Sequence, residues 1–398
     1  MGLKALAGVR VLEYCRGISG PYCTKLMADL GAEVVHIECP GQGDDARRLP
    51  PFPGDTCHEE KSGLFLFLNT NKLGITLDPR LPAGAEIFRR LASAADILVE
   101  DGPPGEMEEI GLGYEELRRL NPGLVMASIT PFGRSGPYKG YTAHGLNISH
   151  VSGQGYMLPV PSPHLERAPV KIGGSCTDYD SGQATAVAIL AALYSRRISG
   201  KGQFIEVSQQ EAVLSLQRVE NVVFANGGEV LTRKGPQTDS GITNMFLCKD
   251  GYVVSVTPQD HQKEALAKLA DSTADPEHRA GDNGLAAMRA RLAAWARERT
   301  MAQACAKAQS VSVPMSPISS PAEVARSPQM QARGFFAEVK HPIAGTVNMP
   351  ARHCHFSKTP VELARAAPRL GEHNDFIYRE RLGYGIDELR ALQDSGVI

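Results

Sequence analysis

Short apolar runs alternate with helix-length segments through the first third of the chain, and that alternation limits the possible folds more than any other feature. Residues 9–14 read as a buried strand, 15–20 as a loop, 21–30 as a helix opened by Pro21 and closed by Gly31, and 33–38 as a second strand. Farther on, 83–95 and 114–120 read as helices, while 97–100 and 124–129 read as strands. Strands that follow one another through helices pair side by side in the same direction, so the expected fold is α/β, a mainly parallel sheet with helices on both faces. Ligands of such sheets gather beyond the carboxyl ends of the strands, where the loops at Cys15, Cys39, Asp101 and Thr130 fall. These loops are expected to share one cleft.

The first loop offers Gly17 and Gly20, and Glu38 ends the second strand about 20 residues later, as in a dinucleotide-binding unit. The full G-x-G-x-x-G fingerprint is missing, so no nicotinamide cofactor is expected. Residues 40–55 are rich in Gly, Pro, Asp and Arg and form a loop that exposes Arg47 and Arg48, to solvent or to a phosphate. Apolar runs at 64–68 and 74–77 flank Asn69-Thr70-Asn71-Lys72. Lys72 at that turn is either solvated or a point charge for a phosphate. Residues 132–153 make a long connection carrying His144 and His150. Each imidazole titrates near neutral pH and suits a general base, and each equally suits a hydrogen-bonded scaffold.

Residues 168–206 hold a glycine turn, two acids, a long apolar helix and a strand. Asp180 stands three residues before Gln183, the spacing of a capping box, ahead of the apolar run 184–194. Asp180 therefore has a structural task. Asp178 has none: it precedes the expected helix start and follows Gly173-Gly174, where backbone can approach a ligand closely. The helix terminus is expected to keep this carboxylate ionised, as a nucleophile requires.

Beyond the helix, Gly200 and Gly202 mark its stop, 203–207 reads as a strand and 209–224 as another helix. The pattern then changes to a polar loop over 227–243, two strands within 245–256, and helices at 265–270 and 284–308, the latter expected to be broken and to carry Trp295 as a core residue. Closely spaced prolines over 313–317 favour an extended crossing path. The expected division is a large domain from 1–205 and 333–398, a linker helix at 206–225, a smaller α+β domain at 226–312 and a crossing linker at 313–332. A chain of 398 residues is long enough for two such cores.

With 42 Lys and Arg against 44 Asp and Glu, the net charge of −2 offers no broad basic field for nucleic acid or an anionic membrane. No apolar run approaches the ~20 residues of a membrane span, and the segment MGLKALAGVRVLEY has no signal-type apolar region. The eight cysteines fall in no C-x-x-C pair and no metal-type cluster, as in reduced thiols of a cytoplasmic enzyme without a metal.

The segments LAGVRVLEY, SGPYCTKLMADLGAEVVHIECPGQGD, LNTNKLGITLD, NPGLVMASITPFGRSGP and GKGQFIEVSQQEAV, with Asp178 four residues before Gly182, resemble the class III CoA-transferases. This family holds formyl-CoA:oxalate and carnitine CoA-transferases together with α-methylacyl-CoA racemase. The resemblance implies an interlocked homodimer whose chains each have a Rossmann-like large domain and a smaller domain. It implies acyl-CoA and a carboxylic acid as partners, with coenzyme A itself as substrate. The aspartate matching Asp178 attacks the thioester to give a mixed anhydride, the CoA thiolate returns to form an aspartyl-CoA thioester, and the acceptor acid then attacks. Ile18, Ser19, Cys39, Arg47, Lys72 and Asp101 fall at CoA-site positions.

Several positions depart from the family pattern. Cys39 stands for an arginine, Asp101-Gly102-Pro103 for N-F-R, Ile18 for a glutamine, and a glycine run is thinned to Ser240-Gly241. An acyl group other than formate or oxalate is therefore expected. His144 matches the histidine that pairs with the aspartate in the racemase, which implies a second reading as a racemase or isomerase using His144 and Asp178 as acid and base. Against it, Gly145 replaces the acidic neighbour of that histidine and Thr257 replaces a glutamate. A third reading is a non-catalytic CoA-binding subunit of a hetero-oligomer, which the presence of Asp178 opposes.

Overall fold

The computed structural model describes residues 4–160, 162, 164–216, 218–234, 242–257, 259–271 and 285–398. Ser240-Gly241 and the start of the expected helix at 284 lie outside them. Two compact units emerge, one from Met1–Gly235 with Gly334–Ile398 and one from Pro236–Arg333.

The first unit is built on six parallel strands: β1 (Arg10–Tyr14), β2 (Glu33–Glu38), β3 (Leu73–Thr76), β4 (Ile97–Glu100), β5 (Val125–Thr130) and β6 (Phe204–Ser208). Their spatial order is β3-β2-β1-β4-β5-β6, the order of doubly wound nucleotide-binding sheets. The helices between them are α1 (Ser19–Asp29), α2 (Gly63–Leu68), α3 (Pro82–Ala94), α4 (Glu106–Glu109), α5 (Tyr114–Leu120), α6 (Gly145–Val151) and α7 (Cys176–Ser199), followed after β6 by α8 (Gln209–Leu214) and α9 (Arg218–Gly227).

The central strands are apolar at nearly every position because helices cover both faces. Val11, Val34, Ile97, Val99, Val125 and Ala127 pack toward Met27 of α1 and Ile189 and Ala192 of α7. Their neighbours Leu12, Val35, Leu98 and Met126 join the opposite core with Ile87 and Phe88 of α3 and Leu117 of α5. This two-residue alternation is the strand period expressed as two cores.

Residues after the second unit complete this sheet. The edge strand β3 would otherwise expose a row of backbone groups. His373 N–H donates to Gly74 O (2.9 Å), Asn374 Oδ1 accepts from Thr76 N–H (2.9 Å), and Tyr378 OH donates to Thr76 O (2.6 Å). Ile377 and Tyr378 are buried in the α3-side core.

The apolar run 64–68 forms α2, because Ser62 Oγ accepts from Phe65 N–H (3.2 Å) and caps a helical turn. The long helix also begins earlier than its apolar run suggests. Its first residue is Cys176 after Ser175, so Asp178 lies in the first turn and Asp180 in the helix body. The expected capping task of Asp180 is thus corrected.

The second unit contains β7 (Ile242–Leu247), β8 (Tyr252–Thr257) and β9 (Met315–Pro317), an antiparallel sheet in that order. With it stand α10 (Asp260–Asp271), α11 (Leu285–Arg297), α12 (Met301–Gln309), α13 (Pro321–Arg326) and α14 (Pro328–Ala332). Trp295 lies in its core with Phe246, Val253, Leu292 and Met315. Residues 315–317 therefore pair as an edge strand, where proline is tolerated. In the first unit, β10 (Phe336–His341) and β11 (Gly345–Pro350) form a hairpin, and α15 (Ile386–Asp394) follows.

Candidate functional site

The order of the strands reverses between β1 and β4, and a cleft of about 550 Å³ opens at their carboxyl ends. The loop after β1 supplies Arg16, Ile18 and Ser19, the loop after β4 supplies Asp101, and the long β5–β6 connection supplies His144, Lys171 and Asp178. A second hollow of about 580 Å³ shares Asp101, Gly102 and Ala143 with the first and adds Arg134 and Lys139.

Asp178 is carried over the strand ends by the docking of α7 on α1. A β-carbon at Gly182 would lie 2.5 Å from Ser19 O, so glycine is what allows the two helices to meet this closely. Tyr179 packs edge-on against Tyr22 with ring centroids 4.8 Å apart and reinforces the contact. A β-carbon at Gly145 would sit 2.8 Å from Asp178 Oδ2, so α6 approaches the carboxylate by presenting no side chain there. Thr177 Oγ1 donates to Gly145 O (3.3 Å) and ties the helices together.

Burial pushes the Asp178 carboxyl above the usual aspartate range, against the pull of its own backbone N–H in the first turn of α7, the Gln209 side-chain amide, Lys171 and His144. This corrects the expectation that the helix terminus dominates: desolvation outweighs it. Gln209 Nε2 also donates to Ser19 Oγ (2.8 Å), so one amide connects the first loop to the acid.

The first loop is fixed from beneath. Arg16 N–H donates to Asp101 Oδ1 and Gly17 N–H to Asp44 Oδ1, both at 2.9 Å. Burial drives the Asp101 carboxyl well up, with Asp44 and Glu100 adding to the rise and the Arg16 bond opposing it. Glu100 is raised to about 7, chiefly by burial, with Ser128, Gly102 N–H and Arg134 pulling the other way. The cleft floor thus carries acids that hold protons at higher pH than free carboxyls do.

The structure brings Asp178, His144, Ile18, Ser19 and Asp101 into one cleft. Cys39 lines a smaller neighbouring hollow at the ends of β1, β2 and β3 with Tyr14, Arg16 and Arg80. Arg47 and Lys72 are corrected. Arg47 is fully buried, its Nε 2.6 Å from Glu38 and its Nη1 2.9 Å from Glu60. Glu38 is thereby committed to an ion pair and not to a ribose. Lys72 is fully buried, 2.8 Å from Glu13 Oε2, and donates to Asn69 Oδ1 and Pro21 O, each at 2.9 Å. Burial raises Glu13, but Lys72 and His36 beside it win and hold it down to about 2.

Three contributors escaped the sequence reading. Arg16 and Lys171 were passed over although both lie in loops at strand or helix ends, and Gln209 was absorbed into a helix. Position beside Ser208, the last residue of a sheet strand, was the available signal for Gln209. His144 opens α6, its backbone N–H donating to Asn147 Oδ1 (3.1 Å), and its ring is exposed to the cleft. Among the described residues no group of three or more His, Cys, Asp or Glu is arranged to hold a metal ion, and no helix is long and apolar enough to cross a membrane.

Comparison with known proteins adds an independent line. The sequence model of CoA-transferase family III matches residues 6–374. The chain is 31% identical over 429 residues to formyl-CoA:oxalate CoA-transferase of Rhodopseudomonas palustris (strain BisA53), covering 99% of this chain and 97% of that one. It is 32% identical over 408 residues to succinyl-CoA:glutarate CoA-transferase of Mus musculus, covering 100% and 91%. Among solved structures, a CAIB/BAIF family protein from Brucella suis superposes with a TM-score of 0.83 at 28% identity over 96% of this chain and 100% of that one. Rv3272 of Mycobacterium tuberculosis superposes with a TM-score of 0.77 at 26% identity, covering 94% and 99%.

Proposed function

The chain belongs to CoA-transferase family III, and from that premise we propose that it moves CoA from an acyl-CoA to a carboxylic acid with Asp178 as the nucleophile. The observation that carries this reading is the placement of Asp178: the first turn of α7, over the strand-order reversal, with Gln209 and Lys171 pulling its raised carboxyl toward the ionised form. An ionised carboxylate adds to the thioester carbonyl, the C–S bond breaks, and CoA leaves as a thiolate. The thiolate then attacks the aspartyl carbonyl of the anhydride and releases the donor acid. Glutarate, the acceptor in one relative's name, is the first acid to try, with oxalate, the acceptor in another's, as the contrast that the departures at Ile18 and Asp101-Gly102-Pro103 disfavour.

Incubation with acyl-CoA and hydroxylamine should convert Asp178 to a hydroxamate and abolish turnover, and Asp178→Ala should lose at least about 10³-fold in kcat. Mass spectrometry of the labelled peptide reads the first outcome. Full activity of Asp178→Ala removes the proposal.

One observation favours a second reading. His144 lines the same cleft, and its neighbour Gly145 lies against the Asp178 carboxylate, as a two-base racemase or isomerase would need. That reading predicts exchange of the α-proton of a 2-methylacyl-CoA with deuterated water in the absence of any acid acceptor.

A further inference from the structure

Arg16 and Lys171 both line the cleft, and they differ in what surrounds them. Arg16 stands beside Tyr14, Glu106 and Asp101, two of which are acids. Lys171 forms no ion pair among the described residues. Its ammonium donates to two backbone carbonyls, Ile172 O (2.9 Å) and Gly174 O, in the loop that leads into α7. An ammonium has three donors, and two are used there. Asp178 lines the same cleft, and Lys171 is among the groups that pull its carboxyl down.

We propose that Lys171 is the docking cation for the carboxylate of the acceptor acid, exposed to it each time Asp178 is acylated. The inference rests on the transferase reading. In the resting enzyme Lys171 and the Asp178 carboxyl share the cleft without an ion pair between them. Once Asp178 is an aspartyl-CoA thioester it carries no charge, and the cleft near the lysine has lost a negative charge. The cleft then favours an anion at the step when one must enter.

The acceptor carboxylate oxygen attacks the aspartyl thioester carbonyl. A C–O bond forms, the C–S bond breaks, and CoA departs as thiolate, leaving an anhydride between acceptor and Asp178. The thiolate attacks the acceptor carbonyl, forms the product thioester, and returns the electron pair to the Asp178 carboxylate.

The test separates the two half-reactions in the full-length chain, wild type, Lys171→Gln and Lys171→Arg. Acylation of Asp178 by acetyl-CoA or succinyl-CoA without an acceptor is trapped with hydroxylamine. Turnover is followed with glutarate and with oxalate. The expected result for Lys171→Gln is an acceptor KM raised about tenfold or more, over and above whatever acylation loses through the Asp178 carboxyl, and recovery in Lys171→Arg. A lysine that merely held the loop through Ile172 O and Gly174 O would disturb acylation in the same proportion as turnover, and that result overturns the proposal. An unchanged acceptor KM overturns it as well. If the wild type is labelled by neither thioester, the transferase reading itself fails and this inference falls with it.

Discussion

Asp178 is a carboxyl under two opposed influences, and the balance can be shifted one residue at a time. Burial raises its pKa while the Gln209 amide, bonded to the ionised form, lowers it. Gln209→Leu removes a lowering contribution, so the pKa rises further and a smaller fraction is ionised at any given acidic pH. The acid limb of the acylation rate against pH should therefore move to higher pH, with the loss recovered in alkaline buffer. A variant whose profile keeps its wild-type midpoint but loses amplitude would mean that Gln209 acts only through Ser19. At this scale the sequence was only partly legible. Asp178, Ser19, Ile18, Asp101 and His144 could be picked out, because each stands in a loop or first turn at the cleft end of the sheet. Arg47 and Lys72 were misread, because the carboxylates that bury them lie elsewhere in the chain, Lys72 meeting Glu13 across 59 positions. A charged residue in a polar stretch looks solvated until its partner is known.

Helices and strands were legible where period and length agreed. The strands of the large sheet are short, mostly apolar runs bounded by turn residues, and in the central strands burial on both faces is what makes them so. Residues 63–68 carry the same composition but form a helix, since six apolar residues hold no period and a serine cap decides the matter. The start of α7 was placed too late for a related reason: Ser175 gives no side-chain cap, so the apolar run concealed the first turn. The contact of α7 with α1 is itself testable. Gly182→Ala adds a methyl group 2.5 Å from a backbone oxygen, which neither helix can accommodate without moving. Helix propensity alone would stabilise this change by about 1 kcal/mol. Overpacking should reverse the sign and cost about 1–3 kcal/mol in chemical denaturation. Because the shift displaces Asp178, kcat/KM should fall about tenfold or more.

Two helices of the large unit present rows of apolar side chains to solvent. On α7, Val187, Tyr194 and Ile198 recur at helical spacing and are 63%, 69% and 78% exposed, and Val219, Val222 and Phe224 of α9 are exposed as well. We propose that a second copy of the chain covers them, giving the homodimer that the family resemblance implies. Sedimentation should show a dimer for the wild type, and Tyr194→Glu combined with Ile198→Glu should shift it toward monomer. A wild-type monomer at micromolar concentration would remove that assignment. The large sheet also has a history written into its connectivity. Its edge strand β3 is sealed by residues 373–378, which are separated from it in the sequence by the entire second unit. A ribosome delivers the strand long before the segment that closes it. Until residues 373–378 emerge the nascent chain therefore carries an open sheet edge, and the length of that exposure is set by how long translation takes to cross the second unit.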